Sequence, residues 1–135
     1  MTLPVHEQLR RLADTLRNDV GPAVADEYTR TQAFMSSVIL QRLAAQVEHG
    51  PRHSSTEAAH TAALHTALAE VLAAAPPDVA QAQAEAATAG TVASLGPLIR
   101  ALYGWGSDRA EVQQALTTIR PVLRADIDRR MEIAT

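Results

Sequence analysis

The sequence predicts an all-α protein: one helical-bundle domain over residues 1–135, with five to six helices around a long central one. Three observations predict it. No segment shows the period-2 alternation of a half-buried strand. Apolar residues recur instead at intervals of three and four along most of the chain. The pairs Gly21-Pro22, Gly50-Pro51 and Pro76-Pro77 then punctuate it at helix-length intervals.

The first helix should run from about Leu3 to Asp19, since the missing N–H of Pro4 costs nothing in a first turn. Val5, Leu9, Leu12, Leu16 and Val20 form one stripe. Glu7–Arg11 and Arg10–Asp14 pair at i, i+4 on the opposite face, each worth roughly 0.2–0.5 kcal/mol. Gly21-Pro22 ends this helix and starts the central one, expected from about Ala23 to His49. At about 100° per residue, Val24, Tyr28, Phe34, Met35, Val38, Ile39, Leu40, Leu43 and Val47 cover more than half of its circumference. Only a narrow strip with Asp26, Arg30, Ser37, Gln41 and Glu48 stays polar, so neighbours should surround this helix.

After Gly50-Pro51, Ser54 and Glu57 have capping-box spacing and predict a third helix to about Ala74, with Leu64, Leu68, Val71 and Leu72 on one face. Pro76-Pro77 stops it, because proline disfavours helical backbone in the preceding residue. Asp78 can cap a fourth, Ala-rich helix closed by Gly90, whose small side chains ask for close packing. A fifth, beginning near Gly96, carries the stripe Val92, Leu95, Ile99 and Leu102. Gly104-Trp105-Gly106 reads as a turn, with Ser107 or Asp108 capping the last helix. Val112, Leu116, Ile119, Leu123, Ile127 and Met131 keep phase across Pro121, which predicts one helix kinked there.

Composition narrows the function classes. A length of 135 residues fits one domain with a real core. Six arginines against eight acids up to residue 75, and six against seven after it, leave neither half basic. Phosphate-backbone binding needs a cationic face, so no nucleic-acid partner is expected. The absence of cysteine removes disulfides, thiolate metal sites and cysteine nucleophiles. All 12 basic residues are Arg, which removes Schiff-base and Walker-type lysine chemistry and, with abundant Ala, is the bias of a high-GC bacterial genome. The N-terminus lacks a signal-peptide core and no run reaches membrane-spanning length, so a soluble cytoplasmic protein without a membrane partner is expected.

Chemistry-bearing residues are sparse. Glu57-x-x-His60 has the spacing that di-iron bundles use in pairs, but a second motif is lacking. His60 and His65 lie about 140° apart on a helix and cannot share one ion without distortion. His49 and His53 are expected in a loop. Solvated or edge histidines are therefore the better reading, with Glu57 and His60 the residual metal candidates, and no cofactor is expected. Ser36-Ser37 sits mid-helix, where hydroxyls bond back to a carbonyl one turn earlier, and Gly-x-Ser-x-Gly is absent, so no catalytic residue is assigned. Trp105 is either a partner anchor or, more commonly, a lid over the core. Arg120, Arg124 and Arg130 lie among Asp126, Asp128 and Glu132, which reads as an internally paired face.

The stretch LRRLADTLRNDVGPAVADEYTRTQAFMSSVILQRLAAQVEHGP, in a match over about residues 8–51, resembles a family of small all-helical bacterial proteins of uncharacterised activity. Its marks are an acidic-V-x-P-A turn, here Asp19 to Ala23, and a closing Glu-x-Gly-Pro, here Glu48 to Pro51. Such proteins tend to be encoded beside aminoglycoside-phosphotransferase-like kinases and acyl-CoA dehydrogenases. The resemblance implies an accessory protein in that setting. Together with the broad apolar helix, it gives the expectation of a non-catalytic protein that self-associates as a homo-oligomer or serves as a subunit of a kinase or dehydrogenase system. The alternative is a bundle binding a small molecule or acyl chain among Tyr28, Phe34, Met35, Tyr103 and Trp105. A third is a metal-dependent enzyme using Glu57, His60 and a loop histidine.

Overall fold

A computed structural model of the chain describes residues 2–134, and helices account for 86% of it. No strand occurs among the described residues, so the protein is all-α. Its long helices are α1 (Val5–Thr15), α2 (Glu27–Val71), α3 (Pro77–Ala89), α4 (Leu95–Gly106) and α5 (Ala110–Ala134). None of them is long and apolar enough to cross a membrane. The chain divides into two compact units. The first holds the residues up to Arg52 and those from Met131, and the second is His53–Arg130.

In the first unit, Pro4 caps α1 and the helix widens after Thr15 into a π-turn, Leu16–Val20, then closes with a single turn, Gly21–Ala23. The Gly21 N–H reaches back to the Leu16 carbonyl, and Pro22 has no N–H with which to continue an α-ladder. A Cβ on Gly21 would stand 3.0 Å from the Leu16 oxygen, tight enough to crowd the turn, and in ordinary contact, 3.9 Å, with Ala33 Cβ of α2. Asp26 then caps α2, accepting hydrogen bonds from the Thr29 N–H at 2.9 Å and the Thr29 hydroxyl at 2.7 Å. Arg10–Glu48 at one end and Arg17–Phe34 at the other show that α1 and α2 run antiparallel. The buried residues of this unit, Ala13, Gly21, Ser37 and Ala44, are all small, which permits close backbone approach but fills little volume.

Three expectations are corrected here. The central helix begins at Glu27 rather than near Ala23, because Val24 is extended. It does not stop at His49: it continues through Gly50-Pro51 to Val71, so the second and third expected helices are one element of 45 residues and Ser54 caps nothing. A proline inside a helix costs one hydrogen bond and a steric clash. Arg10 pairs with Glu48 before the proline and Arg130 with Glu57 after it, but such partly exposed pairs are small beside that cost. Nor is the apolar girth surrounded by this chain. Between Glu27 and Arg52, only Ser37 and Ala44 are fully buried.

The second unit has a continuous core. Leu64, Leu68 and Leu72 of α2 meet Leu95, Leu98 and Leu102 of α4 and Val112, Leu116 and Ile119 of α5, with Val79 and Ala86 of α3 closing it. At about 25 cal/mol per Å² of apolar surface, each buried leucine contributes roughly 2 kcal/mol. Gly90 ends α3 in the left-handed region at φ 66°, as its position after the Ala run suggested. The Gly90 carbonyl accepts a 2.9 Å hydrogen bond from the buried Thr61 hydroxyl, which ties that turn to α2. Residues 104–106 do not form a separate turn; they complete α4, and the bend comes at Gly106, whose φ of 148° suits glycine. The α5 helix is single and runs through Pro121, as the unbroken stripe predicted.

Candidate interaction face and buried polar cluster

Two features stand out, one in each unit. The first is an open apolar face. On α2, Tyr28 is 72% exposed, Ile39 55%, Met35 50%, Val47 44% and Leu43 42%; on α1, Val5 and Leu12 exceed 50%. Helical geometry places them coherently. Leu12 lies roughly 100° to one side of the inward Ala13, and Leu43 and Val47 roughly 70–110° to the same side of the inward Ser37 and Ala44. The opposite flank takes the charges. Arg10 pairs with Glu48 there, and Arg17 stacks 5.0 Å from the Phe34 ring centroid. The Arg10 hydrogen bond holds the Glu48 carboxyl below its ordinary value.

The second feature is a polar junction between α2 and α5. Along α5 the inward register runs Val112, Ala115, Ile119, Val122 and then Asp126, at steps of three and four. Along α2 it runs backward from Leu72 through Leu68, Leu64 and Thr61 to Glu57 and His53. Both core faces therefore turn polar at the same end. The His53 Nε2 stands 3.4 Å from Asp126 Oδ1 and 3.7 Å from Glu57 Oε2. Arg130 donates from Nε to Asp126 at 2.8 Å and from Nη2 to Glu57 at 3.3 Å. Arg129 contacts Asp126 at 3.4 Å and approaches His60 Nδ1 to 3.1 Å. A guanidinium only donates, so that nitrogen of His60 accepts.

Burial of Asp126 favours its neutral form. The Arg130 hydrogen bond and the charges of Arg130, His53 and Arg129 outweigh this, and the pKa lies below its ordinary value of 3.8. The same carboxylate raises the pKa of Arg130.

His53, Glu57 and Asp126 each offer a ligand atom within 4.8 Å of the others, a grouping with metal-ligand chemistry. It differs from the sequence candidates: Glu57 belongs to it, whereas His60 faces Arg129 and His53 is helical rather than in a loop. Both carboxylates already carry arginine partners, which a cation would have to displace. The sequence places Asp126 with Arg130 on an internally paired face; the pair forms, but Asp126 is buried, because it stands on the inward register beside the expected stripe ending in Ile127 and Met131. Those two are in fact 56% and 62% exposed. The missed signal was an acid at the next three-four step after Val122.

The predicted contact residues fall in both units. Tyr28 and Met35 lie on the open face, and Phe34 sits on the other flank, beside a cleft lined by Leu16, Pro22 and Arg30. Tyr103 is exposed on α4, and Trp105 packs against the second unit's core beneath the Arg109 guanidinium, 5.1 Å from its ring centroid. The fold and these features define an all-α protein with an uncovered apolar hairpin face. Compared with family models, curated proteins and solved structures, the chain finds no match.

Proposed function

We propose that this chain is a non-catalytic interaction protein whose working surface is the apolar face of α1 and the first half of α2. The observation that carries this reading is the exposure of Met35, Ile39, Leu43 and Val47 together on one hairpin. Contiguous apolar surface rimmed by polar groups marks a protein-docking site. The resemblance of residues 8–51 to accessory-type bacterial proteins supports the same reading. The test is a photo-crosslinking residue in place of Leu43, with the host cell irradiated and the adducts sequenced. A discrete protein adduct is expected; labelling of solvent alone would refute the reading.

One observation favours a second reading, binding of an acyl chain with an anionic head. The cleft beside Phe34 has an apolar floor of Leu16 and Pro22, with Arg17 and Arg30 at its edge. Calorimetric titration with a fatty acid tests it. Binding weakened by Arg17→Ala would support this reading, and no heat of binding would dismiss it.

A further inference from the structure

We infer that the occupant of the open face is a second copy of this chain, two α1–α2 hairpins closing face to face into a four-helix bundle. This rests on the reading of that face as a protein-docking surface. Three observations converge on a second copy. The first is area: the exposed large apolar residues of the hairpin present on the order of 700 Å², close to the roughly 800 Å² per partner of a standard interface.

The second is charge. A two-fold interface sets the same patch against itself, so a patch dominated by one sign of charge repels its copy and a mostly uncharged one does not. The polar residues interspersed on the α2 face are Gln32, Ser36 and Gln46, all uncharged; Arg42 stands at its margin beside Met35, and the charged side chains Arg10, Arg17 and Glu48 occupy the other flank. A face built for a foreign partner gains selectivity from complementary charges, and this stretch of α2 offers only Arg42, at its margin.

The third is volume. Among its described residues the hairpin fully buries only Ala13, Gly21, Ser37 and Ala44, so it has half the layers of a bundle and its large side chains, Leu9, Leu16, Val38 and Leu40 among them, are at most partly buried. A second hairpin supplies the missing layer: the same leucines, isoleucine and valines that now stand in solvent.

Sedimentation equilibrium of the full chain tests this. The wild type is expected at twice the 14.4 kDa chain mass in the micromolar range. Ile39→Glu and Leu43→Glu are each expected to raise the dissociation constant at least about tenfold. Because both positions are exposed in the single chain, helicity of the second unit should stay unchanged. The chain has no cysteine, so Gln46→Cys carries one spin label, whose dipolar coupling to its copy should vanish on dilution with excess unlabelled protein. A 14.4 kDa wild type at every concentration overturns the inference, as does a dimer indifferent to both glutamates. If that monomer still yields a foreign-protein adduct at Leu43, only the second copy is refuted; with no adduct, the docking reading falls too.

Discussion

The His53 imidazole and the Asp126 carboxylate, 73 positions apart in the chain, meet 3.4 Å from one another where the core faces of α2 and α5 turn polar. Neither residue belongs to an apolar stripe, yet both occupy inward positions of one. The contact turns the end of the second unit's core into an ion-pair junction completed by Glu57 and Arg130. Buried charge is costly unless paired, so the junction specifies which helix faces meet rather than adding much net stability.

Removing one partner should expose that cost. Asp126→Ala leaves Arg130 and His53 with Glu57 as their one remaining carboxylate in the junction and is expected to destabilise the second unit by about 1–2 kcal/mol, read by urea denaturation. Asp126→Asn keeps the shape and should cost less. In a double-mutant cycle with Arg130→Ala the pair should show positive coupling, since the removal of both members leaves less unpaired charge than the removal of one.

Acid should weaken the same junction. The Asp126 pKa in the folded chain lies below its ordinary value of 3.8, so the native state binds fewer protons than the unfolded state in that range. Its contribution is complete above about pH 5 and is lost as pH falls through the folded value. Thermal melts from pH 6 down to pH 3 should show the melting temperature of the second unit falling, with a shallower fall in Asp126→Asn.

Pro51 offers a test of α2 continuity. Gly50 has no atom within 4 Å of a built Cβ, so alanine fits there. Gly50→Ala with Pro51→Ala should restore a helical hydrogen bond and raise stability by roughly 1–3 kcal/mol. Amide exchange across residues 47–55 should slow. A loop at this point would instead leave exchange fast in both proteins.

Gly21→Ala should act in the opposite direction. The added Cβ would meet the Leu16 carbonyl oxygen at 3.0 Å, a backbone atom held within the π-turn. A loss of about 1–2 kcal/mol confined to the first unit is expected, visible as faster exchange in α1 with the second unit unaffected.

Much of the fold was legible from local signals. The stripe Val112, Leu116 and Ile119, the stop at Pro76-Pro77 and the left-handed Gly90 depend on neighbours a few residues away, and each is realised as expected. Less of the site was. Glu57 stood out through its spacing to His60, but the partners that give it a setting, Asp126 and Arg130, come from the other end of the chain.

The sequence by itself determined the all-α class, the break at Pro76-Pro77 and the apolar stripes that line the second unit's core, because hydrophobic periodicity and backbone punctuation are properties of short segments. Only the tertiary structure decided which of two overriding tendencies won at Gly50-Pro51. The helix continues there through a local stop signal. It also decided that the broad apolar face of α2 would be left open along its first half and buried along its second. Periodicity records how much apolar surface a helix carries, and the number of neighbours available to cover it follows from how distant segments pack.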